Sequence, residues 1–453
     1  MTLRRLTIAL AAGAAWALSA PALAAVSQEE ANKLGTELTP VGANPKGNED
    51  GTIPEWNPTT MQGDKTGEYP SHPEIDDDEP RFVITAENMD QYADKLSEGH
   101  KLLLQRYPDS YKMKIYPSHR IVTWPEEILA ATKRNATACE FRGPDDITNC
   151  EVGFPFPIPQ TGAEVVWNHK LKWRGNNARR YNNQMIVQQN GDYQFTKIVE
   201  DVTFSYANLN DPVPIKDGQG EYLRYLSETV APVRLAGTFI LVHEKVGTGE
   251  AGRRAWLYSP GLRRIRRAPS VCCDNPYEGT DGHQFYDQVD MFNGVLERFN
   301  WKLLGKKEMF IPYNSHKIAG PPTKYADLAQ PRHLNQELPR YELHRVWVVE
   351  AENKPDLRHT FGKKVLYIDE DSWNIVMIDN YDHRGEMMQF QEGHYFISRN
   401  ILAGATSPEV IYHLNTGRYF LTALAQEDQP IDSTVTYDDG YFTAAAVQRK
   451  TSR

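Results

Sequence analysis

The chain has little cysteine, no excess of positive charge and, beyond its first two dozen residues, no long apolar run. Four cysteines in 453 residues are too few to frame a disulfide-rich mini-fold. The 50 Lys and Arg are outnumbered by 60 Asp and Glu, a formal charge of −10, which argues against nucleic acid as a partner. Nothing after the N-terminal segment is long and apolar enough to span a bilayer. No Gly-x-Gly-x-x-Gly follows a strand, and neither a Walker A sequence nor Gly-x-Ser-x-Gly occurs. His169, His283, His344, His359 and His383 are scattered without His-x₃-His spacing, and no Cys stands at zinc-ligand distance from them. The sequence therefore gives no positive sign of a catalytic residue, a metal or a cofactor. A retaining-glycosidase pair of carboxylates about 5 Å apart leaves no sequence signature, so a hydrolase stays as an alternative. What is present is an ordinary globular composition, 40% hydrophobic and 24% charged, with 23 Tyr and 9 Trp. That aromatic bias suits a β-rich core or a site for an apolar ligand.

The N-terminus reads as an address. Arg4 and Arg5 precede an apolar run from Leu6 to Ala20, and Pro21-Ala22-Leu23-Ala24 supplies the small residues a signal peptidase accepts. The expectation is a signal peptide over residues 1–24, cut after Ala24, and a soluble periplasmic protein. With no Cys near the cut, lipoprotein processing is excluded. Export permits disulfides. Cys139 and Cys150 bracket the turn-prone Arg142-Gly143-Pro144-Asp145-Asp146 and are expected to pair. Cys272 and Cys273 are adjacent, so a bond between them distorts the intervening peptide, and their state is left open.

Residues 25–82, rich in Gly, Pro, Asn and acid, lack periodicity and read as an extended arm; residues 83–453 form the main domain. Met89, Tyr92, Leu96 and Leu103 predict a helix over 84–106 with Thr85 as its cap. Thr123-Trp124-Pro125-Glu126 has capping-box spacing before a second helix, and Glu221 to Val230 is a third candidate. Elsewhere the pattern is β. Asn190-Gly191 joins Met185–Val187 to Tyr193–Tyr206 as a hairpin. Thr238–Val242, Ala255–Tyr258 and Leu262–Arg267 follow, then Phe299–Leu304, Tyr341–Glu350, Lys364–Ile368, Asn374–Asp379 and Glu386–Phe396. Tyr341–Glu350 carries apolar groups on both faces, as a strand between two covered surfaces does. Successive strands with short turns predict a long antiparallel sheet that curls as twist accumulates.

Three constellations invite function. Arg253, Arg254, Arg263, Arg264, Arg266 and Arg267 fall within fifteen residues. They read either as a rim gripping an anionic headgroup, with Arg264 and Arg266 as candidates, or as partners of acids on neighbouring strands. Asp369-Glu370-Asp371 has an EF-hand's acidity without its Gly at the sixth or Glu at the twelfth position, and reads as a solvated hairpin turn. Asp274, Glu278, Asp281, Asp287 and Asp290 form a second, unresolved cation candidate. Among the aromatics, Trp256, Tyr258, Trp347 and Tyr367 are candidates to line a cavity, against ordinary core packing.

Several long words resemble a known bacterial family. They are Asn48-Glu49-Asp50-Gly51-Thr52-Ile53-Pro54-Glu55-Trp56, Ile84 to Tyr92, Gly153 to Pro159 with Trp167-Asn168-His169, Arg263 to Pro269, Asp290-Met291-Phe292-Asn293-Gly294, Tyr341 to Trp347 and Tyr367 to Trp373. Together they are similar to the domain-of-unknown-function 1329 family over nearly the whole chain after residue 24. Cys272-Cys273-Asp274 departs from the pattern, which has an aromatic before the Asp. The resemblance implies a β-rich part similar to the carriers of the outer-membrane lipoprotein-sorting pathway. It also implies association with a resistance-nodulation-division (RND) transporter and an outer-membrane β-barrel. The expected fold is thus α+β and β-rich, a curved antiparallel sheet forming an incomplete half-barrel, with helices against its concave face and an extended N-terminal arm. The expected function is a non-enzymatic carrier or adaptor for a hydrophobic or amphiphilic, lipid-like molecule. A periplasmic hydrolase and a structural adaptor without ligand are the alternatives.

Overall fold

The computed structural model describes residues 26–58, 68–211, 213–216, 221–398 and 401–452. The expected signal peptide, residues 1–24, lies outside the described residues, as does part of the expected arm. Eighteen strands are described: β1 (Phe82–Ile84), β2 (Met113–Ile115), β3 (Glu140–Gly143), β4 (Asp146–Thr148), β5 (Asn177–Tyr181), β6 (Asn183–Val187), β7 (Tyr193–Thr203), β8 (Leu223–Ala231) and β9 (Thr238–Glu244). They continue as β10 (Arg253–Ser259), β11 (Arg264–Arg267), β12 (Phe299–Pro312), β13 (Tyr341–Asn353), β14 (Lys363–Asp369), β15 (Ile375–Tyr381), β16 (Met387–Ser398), β17 (Ala403–His413) and β18 (Arg418–Leu424). Helices of eight or more residues are α1 (Glu98–Arg106), α2 (Glu126–Ala138), α3 (Gly162–Lys170) and α4 (Ala444–Thr451).

Sixteen strands join one curved, unclosed sheet in the order β1-β2-β13-β14-β15-β16-β17-β18-β6-β7-β8-β9-β10-β11, with β12 beside β13 and β5 beside β7. Pairing is antiparallel except for one bridge between β2 and β13. β3 and β4 form a separate hairpin. The expected strands are present, and β13 is buried along both faces, as its pattern predicts. α3 lies on β12 and β13, and α1 on β16. Among the described residues no helix is long and apolar enough to cross a membrane.

Four local readings are corrected. Glu221–Val230 is not a helix: β8 runs Leu223–Ala231 between β7 and β9, because neighbouring strands on both sides satisfy its backbone. The segment 84–106 is two pieces, a 3₁₀ turn over Met89–Lys95 and then α1, whose cap is Ser97 accepting from the His100 N–H. α2 starts after Pro125 with no side-chain cap, so the Thr123–Glu126 box is not made. The Asp369–Asp371 turn is not solvated; all three acids are at most 2% exposed.

That burial comes from the N-terminal segment. Arg120 forks onto Asp371, with Nε to Oδ2 and Nη2 to Oδ1 both 2.8 Å, and also reaches the carbonyls of Asn44, Lys46 and Pro54. Trp373 donates its indole N–H to the Val41 carbonyl at 2.9 Å. Gly42, at φ +96°, lets the chain pass the Pro157 carbonyl, where a Cβ would fall 1.9 Å from the oxygen. Cys139, just past α2, is bonded to Cys150, just past β4, with Cα atoms 4.5 Å apart, and Cys272 is bonded to Cys273.

Candidate functional site

Strands of the curved sheet line a cavity of about 190 Å³. Because strand side chains alternate, β8 contributes Leu223 and Tyr225, and β9 Ile240, Val242 and Glu244, whereas β17 lines it with the continuous run 403–407 and then Glu409. Phe204, Phe396 and Ile401 extend its apolar wall.

One end is polar. α3 starts at a capping box, Thr161 Oγ1 accepting from the Glu164 N–H and the Glu164 carboxylate from the Thr161 N–H. Its last turn carries His169 and Lys170, and the chain then adds Lys172 and Arg174. His169 accepts at Nδ1 from the Ile375 N–H at 3.0 Å and donates from Nε2 to the Asp290 carbonyl at 2.8 Å, which fixes a neutral tautomer. Burial and the nearby Lys172 hold its pKa well below the usual histidine value, in agreement. Lys172 reaches Asp290 Oδ2 at 3.0 Å, and Arg174 reaches the same oxygen at 2.9 Å. Burial, aided by Arg174, pushes the Lys172 ammonium down to about 7. Burial pushes the Asp290 carboxyl up, but the charges of Arg174 and Lys172 outweigh it and hold the group below the usual carboxylate range. Glu409 accepts from the Thr406 hydroxyl at 2.7 Å and the Met291 N–H at 3.2 Å. Burial, then the Asp290 charge, pushes its pKa up to about 7. Asp290 and Met291 are held at φ 54° and 64°, a left-handed conformation uncommon for residues with side chains.

Further round the wall, Arg253 pairs with Glu244, which also accepts from the Tyr222 hydroxyl at 2.8 Å. Arg180 on β5 gives its Nε to Glu200 at 2.8 Å. The arrangement is an apolar slot with a charged end, suited to holding an amphiphile. It presents acid and base groups but no activated Ser or Cys nucleophile among the described residues.

The residues chosen from sequence lie elsewhere. Arg264 and Arg266 stand exposed on β11. Trp256 and Tyr258 occupy the face of β10 opposite Ala255 and Leu257; Tyr258 packs with Phe239, Phe442 and Val447 under α4. Trp347 stacks on Trp373 at 6.1 Å with Lys306 over its ring at 4.3 Å. Tyr367 donates to Asp379 at 2.9 Å. None of the six lines the cavity. The acids after the cysteines disperse: Asp274 accepts from Thr360, Asp287 from His359, and Asp290 joins the cavity. Sequence reasoning missed Lys172, Arg174, Arg180 and Glu409, although His169 and Asp290 fall in words that carried the family resemblance. Among the described residues, His344, Asp369 and Asp371 are the group of three whose ligand atoms lie within 4.8 Å of one another, as a metal site requires. Arg120 already supplies a cation there, forked onto Asp371. His344 donates from Nε2 to the Glu342 carboxylate at 3.0 Å, so the cluster is a buried ion-pair network.

Comparison with known proteins places the chain. A family model described as protein of unknown function (DUF1329) matches residues 83–448. An uncharacterized protein of Pseudomonas aeruginosa is 42% identical over 440 residues, spanning 96% of each chain. A domain assigned to outer membrane lipoprotein sorting from Vibrio parahaemolyticus is 15% identical with a TM-score of 0.43, covering 64% of this chain and 98% of its own. A DUF1329 family protein from Desulfovibrio piger is 13% identical with a TM-score of 0.39, covering 60% and 92%.

Proposed function

The chain belongs to the DUF1329 family, and from that premise we propose that it is a non-enzymatic carrier for a hydrophobic or amphiphilic molecule, held in the cavity of the half-barrel. The observation that carries the reading is the slot itself, walled by apolar residues from β8, β9, β16 and β17 and polar at one end. Each methylene buried there contributes about 0.8 kcal/mol, so an acyl chain binds without any catalytic group. In this reading residues 25–82 are an arm laid over a single domain of residues 83–453. The signal-peptide pattern over residues 1–24 and the two disulfides support a periplasmic place of work. An RND-type transporter with an outer-membrane barrel is the proposed partner, on the sequence resemblance.

The test is displacement of a fluorescent fatty acid from the purified protein, beside the variant Ala405→Trp, which fills the slot. Saturable binding that the variant abolishes is expected. No saturable binding, or binding unchanged in A405W, would leave the structural adaptor in front. One observation favours the hydrolase instead: Asp290 and Glu409 share the cavity with their titrations driven apart, the pattern of an acid and a base. Release of nitrophenol from an ester or glycoside that disappears in Glu409→Gln would carry that reading.

A further inference from the structure

The charged end of the slot gathers three cations and three acids, and one of the cations keeps donors free. Lys172, Arg174 and Arg180 bring three guanidinium or ammonium groups to the neighbourhood of Asp290. Asp290 pairs with Lys172 and Arg174, and Glu200 with Arg180. Glu409 stands beside Asp290, and burial together with that neighbour's charge keeps it half protonated near neutral pH, its pKa pushed up to about 7. Burial first, and then Arg174, pushes the Lys172 ammonium down to about 7, so its charge falls away over the same range.

Arg180 is the group with donors to spare. Among the described residues its guanidinium makes one hydrogen bond, from Nε to Glu200, and its side chain is 32% exposed although it lines the cavity. Arg174, in contrast, spends Nη1 on Asp290 and Nη2 on the carbonyls of His169 and Lys170. The two terminal amino groups of Arg180 therefore form an open fork, the geometry that accepts two oxygens of one anion. Glu200, which orients this fork, is itself fixed by Asn182 and the Tyr225 hydroxyl, both at 2.6 Å. Across the same space lie Phe396, Ile401 and Ala403, which offer an apolar track leading away from the charges.

We propose that the open fork of Arg180, backed by Arg174 and Lys172, seats one anionic headgroup, a carboxylate or a phosphate, while the apolar tail of the same molecule lies along the wall of β16 and β17. This rests on the carrier reading and narrows it to anionic amphiphiles. With about a third of its side chain exposed, Arg180 exchanges hydration for two charge-assisted hydrogen bonds when the headgroup binds.

The experiment measures displacement of one fluorescent fatty acid by myristate, myristyl phosphate, myristyl alcohol and inorganic phosphate, on wild type and on Arg180→Gln and Arg180→Lys. Because R180Q leaves Glu200 unpaired, the double variant R180Q/E200Q, which removes both charges, is measured as well. Myristate and myristyl phosphate are expected to outbind the alcohol about tenfold or more, the size of one charge-assisted fork. R180Q and the double variant should erase that preference while keeping the alcohol's affinity, and R180K should restore part of it. Equal affinity for the alcohol and the anions in wild type, or equal losses for both in R180Q, overturns the headgroup seat and leaves the carrier intact. Inorganic phosphate competing as well as myristyl phosphate overturns the amphiphile in favour of a free anion. Failure of every alkyl ligand to bind overturns the carrier reading itself.

Discussion

Asp379 illustrates how a single buried group writes itself into stability. It sits in β15 with no exposure and accepts from the Tyr367 hydroxyl at 2.9 Å and the Gly99 N–H at 3.1 Å. Burial pushes its pKa up to about 6. The folded chain therefore holds this proton more tightly than the unfolded chain, where an Asp titrates near 3.9. The sign follows: folding is favoured most below the unfolded value, and that advantage is lost as pH rises to about 6. Two pH units correspond to about 3 kcal/mol. Asp379→Asn should therefore gain stability relative to wild type by about that amount between pH ~4 and pH ~7, read from urea midpoints. A constant difference across that range would mean that Asp379 ionises normally in the fold. Little of this was legible beforehand. Tyr367 is an aromatic in a predicted strand, and an aromatic there has the same local signature whether it lines a cavity or packs in the core. The same limit misdirected Trp256 and Tyr258, one residue out of step with Ala255 and Leu257. Contacts such as His169 to Asp290 join segments 121 residues apart and have no local signature.

At the scale of elements, the Cys139–Cys150 bond ties the end of α2 to the β3–β4 hairpin across 11 residues. Loop-closure entropy gives about 3 kcal/mol or somewhat less for a ring of this size. The double variant C139S/C150S should melt lower than wild type under non-reducing conditions, and the gap should close when wild type is reduced. Equal melting of oxidised wild type and variant would show that the hairpin holds without the bond. This pairing was readable because a turn-prone loop between two cysteines is a local signal. α3 was not readable, since Gly162 through His169 are all buried and a helix covered all round has no apolar stripe. The β8 segment failed for the opposite reason: Tyr222, Leu223, Tyr225, Leu226 and Val230 fit helical spacing, and only pairing with β7 and β9 decides the matter.

For the molecule as a whole, an unclosed sheet has edges to protect. The path ends in β1, three residues long, and in β11, four residues long, while off the path the fourteen-residue β12 pairs with β13 and β5 with β7. β11 displays Arg264, Arg266 and Arg267 outward, and charge on a short edge discourages pairing with another copy. Arg264→Ala with Arg266→Ala should leave myristate affinity unchanged and raise self-association in sedimentation velocity; a weakened affinity would move these residues back to the ligand. The curl of the sheet was foreseeable from strand after strand with short turns, whereas the position of the slot was not, because it depends on which distant strands come to face each other. The grip on the N-terminal segment has a consequence in time. The indole of Trp373 meets a carbonyl 332 residues earlier in the chain, and Glu370 accepts from the Asn44 N–H across 326. A chain made from its N-terminus therefore presents these early residues long before their partners exist. Such distant closures come late and slowly. The segment must wait, wet and unpaired, until β14 and the turn after it have emerged, with β16, β17, β18 and α4 still to come.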